Sequence, residues 1–392
     1  MTVTQGTPSW LRDTNDRTAL ALLLERGELT RNQIGELTGL SKPTASQIVS
    51  RLESAGLVHP VGEVSAGRGP NAASYAVRAE RVLGVAVNIN HLVVESTVVD
   101  ASGVDHPIVV AALSSAARER NDVADVTEAI RAACHASGMP TSAVQLACIG
   151  VQGAVDPRTD QLSFVEGLPG WPRKGVRKGL EDALGHAVYI DNDANLAAIA
   201  ERACGAGADR SGFALLWIGE GLGIAVDIAG AVHRGVSGGA GEIGYLPIPQ
   251  EAVHLDPDAK DLQELIGAAA VRRVARAHGV HKRSYQELVS SLASAPQRDA
   301  ILAELAPRIA VGVIPVLALL DPERVILGGP IGSIGGPRLA ELVQASIRHS
   351  SRWTPHIEAT AVPDHPVLRG ARELLLAEVR TALVNQVGVI SQ

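Results

Sequence analysis

At 392 residues, with 46% hydrophobic and 20% charged side chains, the chain is too long for one compact core and apolar enough to fill two or three. A net charge of −7 excludes a protein that coats nucleic acid over its whole surface, and Cys134, Cys148 and Cys204, with no CxxC spacing, exclude a disulfide framework or a cysteine-rich zinc site. No apolar run approaches the ~18 residues of a membrane span, and MTVTQGTPSWLRDTND lacks the apolar stretch of a secretory signal, so a cytoplasmic protein without a membrane partner is expected.

The charge is uneven. Residues 1–78 hold eight Lys/Arg and seven Asp/Glu, net +1, which leaves 27 against 35, net −8, for residues 79–392. Any contact with DNA is therefore expected from the first segment. There, Arg17–Arg26 is a leucine-rich helical run that Gly27 stops, and Thr30 can cap a second helix, Arg31–Thr38, with Ile34 and Leu37 on one face. Gly39-Leu40 makes a tight turn, and Ser41 caps a third helix with Pro43 in its first turn.

In that third helix Ala45, Ile48, Val49 and Leu52 form an apolar stripe, while Thr44, Gln47 and Arg51 share another face. Any solvated helix shows such a face, but here a short turn precedes it and a hairpin pattern follows. Two β-prone runs, Leu57–Val64 and Ala73–Val77, flank a glycine-rich tip, Ser65–Pro70, whose Arg68 can reach a minor groove. A winged helix-turn-helix over 1–78 is the reading. Its candidate DNA contacts are Ser41, Lys42, Thr44, Ser46, Gln47, Arg51 and Arg68, with Gln47 and Arg51 reading bases and Lys42 gripping phosphate.

From Arg81 onward strand pairs alternate with helices: strands Val82–Val87 and Val93–Asp100, helix Ala124–Ala136, strands Leu146–Val151 and Val188–Asp191, then helix Asn195–Ala203. A second cycle follows in Phe213–Ile218, Gly223–Ile228 and Ala231–His233, with late helices at Asp261–Ala277 and Ala306–Leu320. Two α/β halves imply two lobes with a ligand cleft between them.

Five stretches carry a resemblance: Gly167-Leu168-Pro169-Gly170-Trp171, Asp191-Asn192-Asp193-Ala194-Asn195, Gly219-Glu220-Gly221-Leu222-Gly223, Arg234 through Gly244, and Ile326-Leu327-Gly328-Gly329. In this order and spacing, residues 82–336 resemble the ROK family of repressors and sugar kinases. The fold class expected is α/β, an N-terminal winged helix-turn-helix followed by a two-lobed actin/hexokinase-like body. Its domains are 1–78, a first lobe 79–200 completed by a C-terminal helix 368–392, and a second lobe 201–367.

The resemblance implies sugar contact through Asn192, Asp193 and Glu242, with Gly167, Tyr245 and Gln263 beside them, and makes Asp193 the counterpart of a kinase's catalytic base. Asn192 and Asp193 can equally cap the following helix. The family's kinases carry Asp-x-Gly-Gly-Thr-Lys where this chain has Ala86-Val87-Asn88-Ile89-Asn90-His91, and Gly-Thr-Gly where it has Gly219-Glu220-Gly221. Tyr245 replaces the histidine of the family's zinc module, and Leu246–Lys260 contains no cysteine.

The expectation is a non-enzymatic, sugar-responsive transcriptional regulator, a repressor, with no metal or cofactor. Its partners would be operator DNA and a sugar or sugar derivative, in a homodimer or homotetramer. Two alternatives stand: an active ROK carbohydrate kinase with an appended DNA-binding domain, and a DNA-binding protein whose body only dimerises.

Overall fold

The computed structural model describes residues 8–64, 72–90, 92–114, 116–164 and 168–388. The N-terminal unit consists of α1 (Pro8–Arg26), β1 (Leu29–Thr30), α2 (Arg31–Thr38), α3 (Lys42–Ser54), β2 (Val58–Val64) and β3 (Ala72–Val77), with sheet order β1-β3-β2. Local chemistry sets its helix ends. Thr30 and Gln33 form a reciprocal capping box at the start of α2, and Gly39 closes that helix in the left-handed region at φ 70°. Ser41 caps α3. Ala45, Ile48, Val49 and Leu52 are buried in one core with Leu20, Leu23 and Ile34. Two expectations are corrected: α1 begins at Pro8 rather than Arg17, and Leu37 lies outside the core at 50% exposure.

The first lobe comprises β4 (Leu83–Ile89), β5 (Val93–Val99), β6 (Val109–Ala112), α4 (Asp122–Ser137), β7 (Val144–Val151), β8 (Ala154–Asp156), β9 (Gln161–Ser163), α5 (Val176–Leu184), β10 (Ala187–Asn192) and α6 (Asp193–Cys204). The second holds β11 (Gly212–Ile218), β12 (Leu222–Ile228), β13 (Ala231–Val232), α7 (Leu262–Ile266), α8 (Ala268–Ala277), α9 (Tyr285–Leu292), α10 (Arg298–Leu320), β14 (Val325–Gly328), α11 (Gly329–Ser350) and β15 (Ile357–Ala359). The chain then returns to the first lobe as α12 (Pro366–Asn385). The expected helix over Asp261–Ala277 is broken at Gly267 into α7 and α8.

Both sheets share one topology. Their orders are β6-β5-β4-β7-β10 and β13-β12-β11-β14-β15, an antiparallel three-strand meander extended by two parallel strands. Because alternate strand residues point to opposite faces, Val85, Val87 and Ile89 join a core with α4 and α5, while Ala86 joins the one beneath α12.

Two helices organise the cleft. Alanines of α6 (Ala194, Ala197, Ala198) pack on Phe213, Leu215 and Ile326 of the second sheet, and Leu196 of the same helix packs under α12. Gly370 of α12 lies so close to the Leu196 carbonyl oxygen that a Cβ there would approach it to 1.7 Å. Farther along, Leu383 and Val387 share a core with Leu20 and Leu23 of α1, and Arg17 Nη2 donates to the Val387 carbonyl at 3.3 Å. Helix α10 is long and apolar enough to cross a membrane by composition, yet Ile301, Leu305, Ile309 and Val313 sit at 0–1% exposure in the second lobe's core.

Candidate functional site

A cavity of about 560 Å3 opens between the lobes. The first lobe contributes Gln152 and Gly153 beyond β7, Phe164, and Asn192 and Asp193 where β10 runs into α6. The second contributes Trp217, Glu220, Glu242, Tyr245, Arg272 and Tyr285. An ion pair crosses between the lobes just outside: Arg234, on the segment after β13, donates twice to Asp191 Oδ2 (2.9 and 2.6 Å) at the end of β10.

Asp193 is set deep at the α6 N-terminus. Removal from water, reinforced by the nearby charge of Glu242, pushes its carboxyl up to about 7 despite the Ala194 N–H that it accepts. Glu242 is also lifted to about 7 by burial, and its carboxylate makes no hydrogen bond among the described residues. A strained turn aims it: Gly241 has φ +94°, and a Cβ there would stand 1.8 Å from the Ile224 carbonyl oxygen. Two poorly solvated acceptors facing one cavity suit a polyhydroxylated ligand. At the mouth, Phe164 and Tyr245 are exposed, with ring centroids 5.3 Å apart.

Other expected contacts have prior engagements. Asn192 lines the cavity, but its Oδ1 accepts from the N–H groups of Ala194 and Asn195 as the α6 cap, and its Nδ2 donates to the Gly153 carbonyl. Gln263 lines the cavity and also clamps a loop: Oε1 accepts the Leu222 N–H at 2.6 Å and Nε2 donates to the Glu220 carbonyl at 2.8 Å. Gly167 lies outside the described residues.

Near the end of β4 side chains are engaged with one another. Ala86 is fully buried. Asn88 Nδ2 donates to Glu95 Oε2 at 2.9 Å, and His365 Nδ1 meets Glu95 Oε1 at 2.9 Å. Among the described residues no three His, Cys, Asp or Glu side chains gather to hold a metal ion, and His254 bonds instead to the Glu251 carbonyl.

On the winged helix, Lys42 and Gln47 are exposed, Ser41 is exposed and bonded to Thr44, and Arg68 lies outside the described residues. Arg51 is corrected. Its guanidinium holds Asp16 of α1 with two hydrogen bonds (2.8 and 2.5 Å), because position 51 falls on the flank of α3 rather than opposite the Ala45/Ile48/Leu52 stripe. Ser46 is likewise turned inward, accepting from Arg31, which also bonds Tyr75. The outward face is Lys42, Pro43, Gln47 and Ser50; the i, i+4, i+7 spacing of 43, 47 and 50 carried the signal for Ser50.

Sequence reasoning also missed Phe164, Trp217, Arg272 and Tyr285 in the cleft. Aromatic scarcity was the available signal: the chain has only two Phe, four Trp and four Tyr, and four of these ten line the cavity.

Comparison with known proteins agrees with this architecture. Residues 14–69 match the MarR family and residues 97–378 the ROK family. A putative xylose repressor of Caldicellulosiruptor sp. is 22% identical across 95% of this chain and 98% of its own length; the Bacillus subtilis xylose repressor is 24% identical across 82% and 84%. An uncharacterized Clostridium perfringens protein is 32% identical over 47% of this chain, a match spanning 61% of that protein. The crystal structure of a ROK family transcriptional regulator, a homolog of the E. coli MLC protein, superposes with a TM-score of 0.64 at 18% identity, covering 97% of this chain and 98% of that one. With its body matched over residues 97–378 and a winged helix in front, this chain belongs to the ROK family.

Proposed function

We propose that the chain is a cytoplasmic, sugar-responsive transcriptional repressor that binds operator DNA as a homo-oligomer and senses its sugar without phosphorylating it. Its parts are a DNA-reading domain 1–78, a lobe 79–200 completed by the C-terminal helix, and a lobe 201–367. The carrying observation is α12. This helix covers the outer side of α6, whose N-terminus holds Asp193 in the cleft, and at its other end packs on α1. A rod of about 30 Å at 1.5 Å per residue thus joins the ligand cleft to the DNA-reading domain.

The mechanism follows from the packing. Sugar hydroxyls donate to Asp193 and Glu242, which belong to different lobes, so a bound sugar favours the closed cleft. Closure moves the second sheet against α6. The close contact of Gly370 with Leu196 makes α12 follow, and its far end carries α1; the Asp16–Arg51 pair then fixes α3 to α1. Two winged helices in an oligomer shift relative to one another, and affinity for paired half-sites changes accordingly. Repressor-named relatives support the reading.

Against the kinase alternative, the cavity beside Asn88 and Gly219 is lined by no lysine or arginine among the described residues, and Glu220 there would repel a triphosphate. The test is to select operator DNA from random duplexes and titrate the complex with xylose, glucose and their oligomers. Sugar-dependent release or tightening is expected. Sugar-dependent ADP formation that disappears in Asp193→Asn overturns the non-enzymatic reading.

A further inference from the structure

A second cavity of about 240 Å3 adjoins the first, over the ground that phosphates would need, and the two share Gln152, Asp193, Trp217, Glu220 and Tyr285. Its chemistry differs from that of a phosphate site. Among the described residues no lysine or arginine lines it, and its charged side chains, Asp193 and Glu220, are acidic. The remainder is largely amide, hydroxyl and aromatic: Asn88, Asn90, Gln286, Ser290, Trp217 and Tyr285. An anion is disfavoured there, whereas paired donor–acceptor amides beside aromatic faces suit a neutral sugar ring.

A second, independent observation lies at the junction. Tyr285 is 4% exposed, lines both cavities, and its hydroxyl makes no hydrogen bond among the described residues. Such a group costs stability unless something completes it, and a ligand bridging the two cavities would do so. Among the described residues the Asn88 Oδ1 and Asn90 Nδ2 atoms also make no side-chain hydrogen bond; the other atom of each amide is used by Glu95 and by the Leu92 and Val93 N–H groups.

We propose that the effector is a neutral oligosaccharide of at least two units, one held between Asp193 and Glu242 and the next seated in the vacated phosphate ground against Asn88, Asn90 and Tyr285. This rests on the cleft being the effector site. Val367, in the first turn of α12, lines the second cavity, so the second unit touches the helix that reaches α1. Occupancy of this subsite is then read more directly than occupancy of the first.

The experiment is calorimetry on the full chain with xylose, glucose, xylobiose, cellobiose, maltose and sucrose, repeated for Tyr285→Phe and Gln286→Ala. At least one disaccharide should bind ten times more tightly than its own monosaccharide units or better. Tyr285→Phe should weaken that disaccharide roughly three- to tenfold, more than it weakens either monosaccharide, while keeping the fold because the lost hydroxyl makes no hydrogen bond among the described residues; Gln286→Ala, which touches the second cavity alone, should leave monosaccharide affinity unchanged. Gln286, exposed at the rim, should give a smaller loss in the same direction. Monosaccharides bound as tightly as every disaccharide, with Tyr285→Phe neutral for all, overturn the second subsite and leave the effector reading standing. No binding by any sugar overturns both.

Discussion

The two lobes open on the same device, a β-hairpin, and hold the loop at its tip in different ways. In the first, β4 and β5 pair from Gly84↔Val99 to Ile89↔Val94, and the loop is locked from within by Asn90, whose Oδ1 accepts the Leu92 and Val93 N–H groups. In the second, β11 and β12 pair from Gly212↔Ile228 to Ile218↔Leu222, and the loop is held from outside by Gln263. The first sets two amides, Asn88 and Asn90, along the second cavity; the second sets a carboxylate, Glu220, there. One backbone topology can thus hold the same kind of loop with different side chains.

The sharpest break between the halves is expected from Glu242→Gln. Losing a charge-assisted acceptor worth about 1.5–3 kcal/mol should move sugar affinity by roughly one to two decades, leaving operator binding without sugar intact. Calorimetry and operator titration check both arms; a mutant binding sugar as tightly as the parent removes Glu242 from the ligand set. Away from both hairpins, Arg51→Ala strips the partner from Asp16, whose side chain is 7% exposed, and should destabilise the winged helix by about 1–3 kcal/mol. Denaturant unfolding should show that loss with sugar affinity unchanged.

Gln263→Ala tests whether the second loop is held from outside. Two hydrogen bonds vanish and the Leu222 N–H loses its acceptor, so a cost of about 1–2 kcal/mol is expected together with weaker sugar binding. Unchanged stability would show that the loop holds itself, as the first one does. The smallest effect is pH. Asp193 and Glu242 ionise near 7, and the ionised forms are the acceptors, so sugar affinity should fall as pH drops from 8 to 6. Stability runs the other way. Both folded-state values lie above the unfolded ones, so the folded chain takes up protons that the unfolded chain does not hold, and these groups favour folding as pH falls from about 7 towards 4. Melting temperatures across that window, with and without sugar, separate the two slopes.

What could be read in advance divides along distance in the chain. The caps at Thr30 and Ser41, the stop at Gly39 and the stripe from Ala45 to Leu52 are interactions within a few residues, and composition reports them. The ion pair of Arg51 was not legible because its partner, Asp16, lies 35 residues away on another helix. Gln263 clamps a loop 41 residues earlier, and Tyr285 reaches the cleft from a helix that carries no motif. No expectation covered helix α11, where Gly329-Pro330 and Gly335-Gly336-Pro337 are turn-forming pairs; the chain absorbs them with a kink at Gly336, φ 55°. The shared 3-2-1-4-5 strand order of the lobes was legible only as two cycles of strand and helix, since pairing is a property of the folded sheet.

The return of α12 to the first lobe also sets an order of events during synthesis. Strands β4 and β7 leave the ribosome long before residues 366–385, which supply Leu368, Leu375 and Val379 to cover them. Until then Ala86, Leu146 and Leu196 lack their cover, and α1 lacks the surface formed by Leu383 and Val387. The three-helix core of the winged domain closes on local contacts and can form early, but its attachment to the body waits for chain made hundreds of residues later. A nascent chain therefore presents a DNA-reading unit before it possesses the connection through which a sugar could govern it.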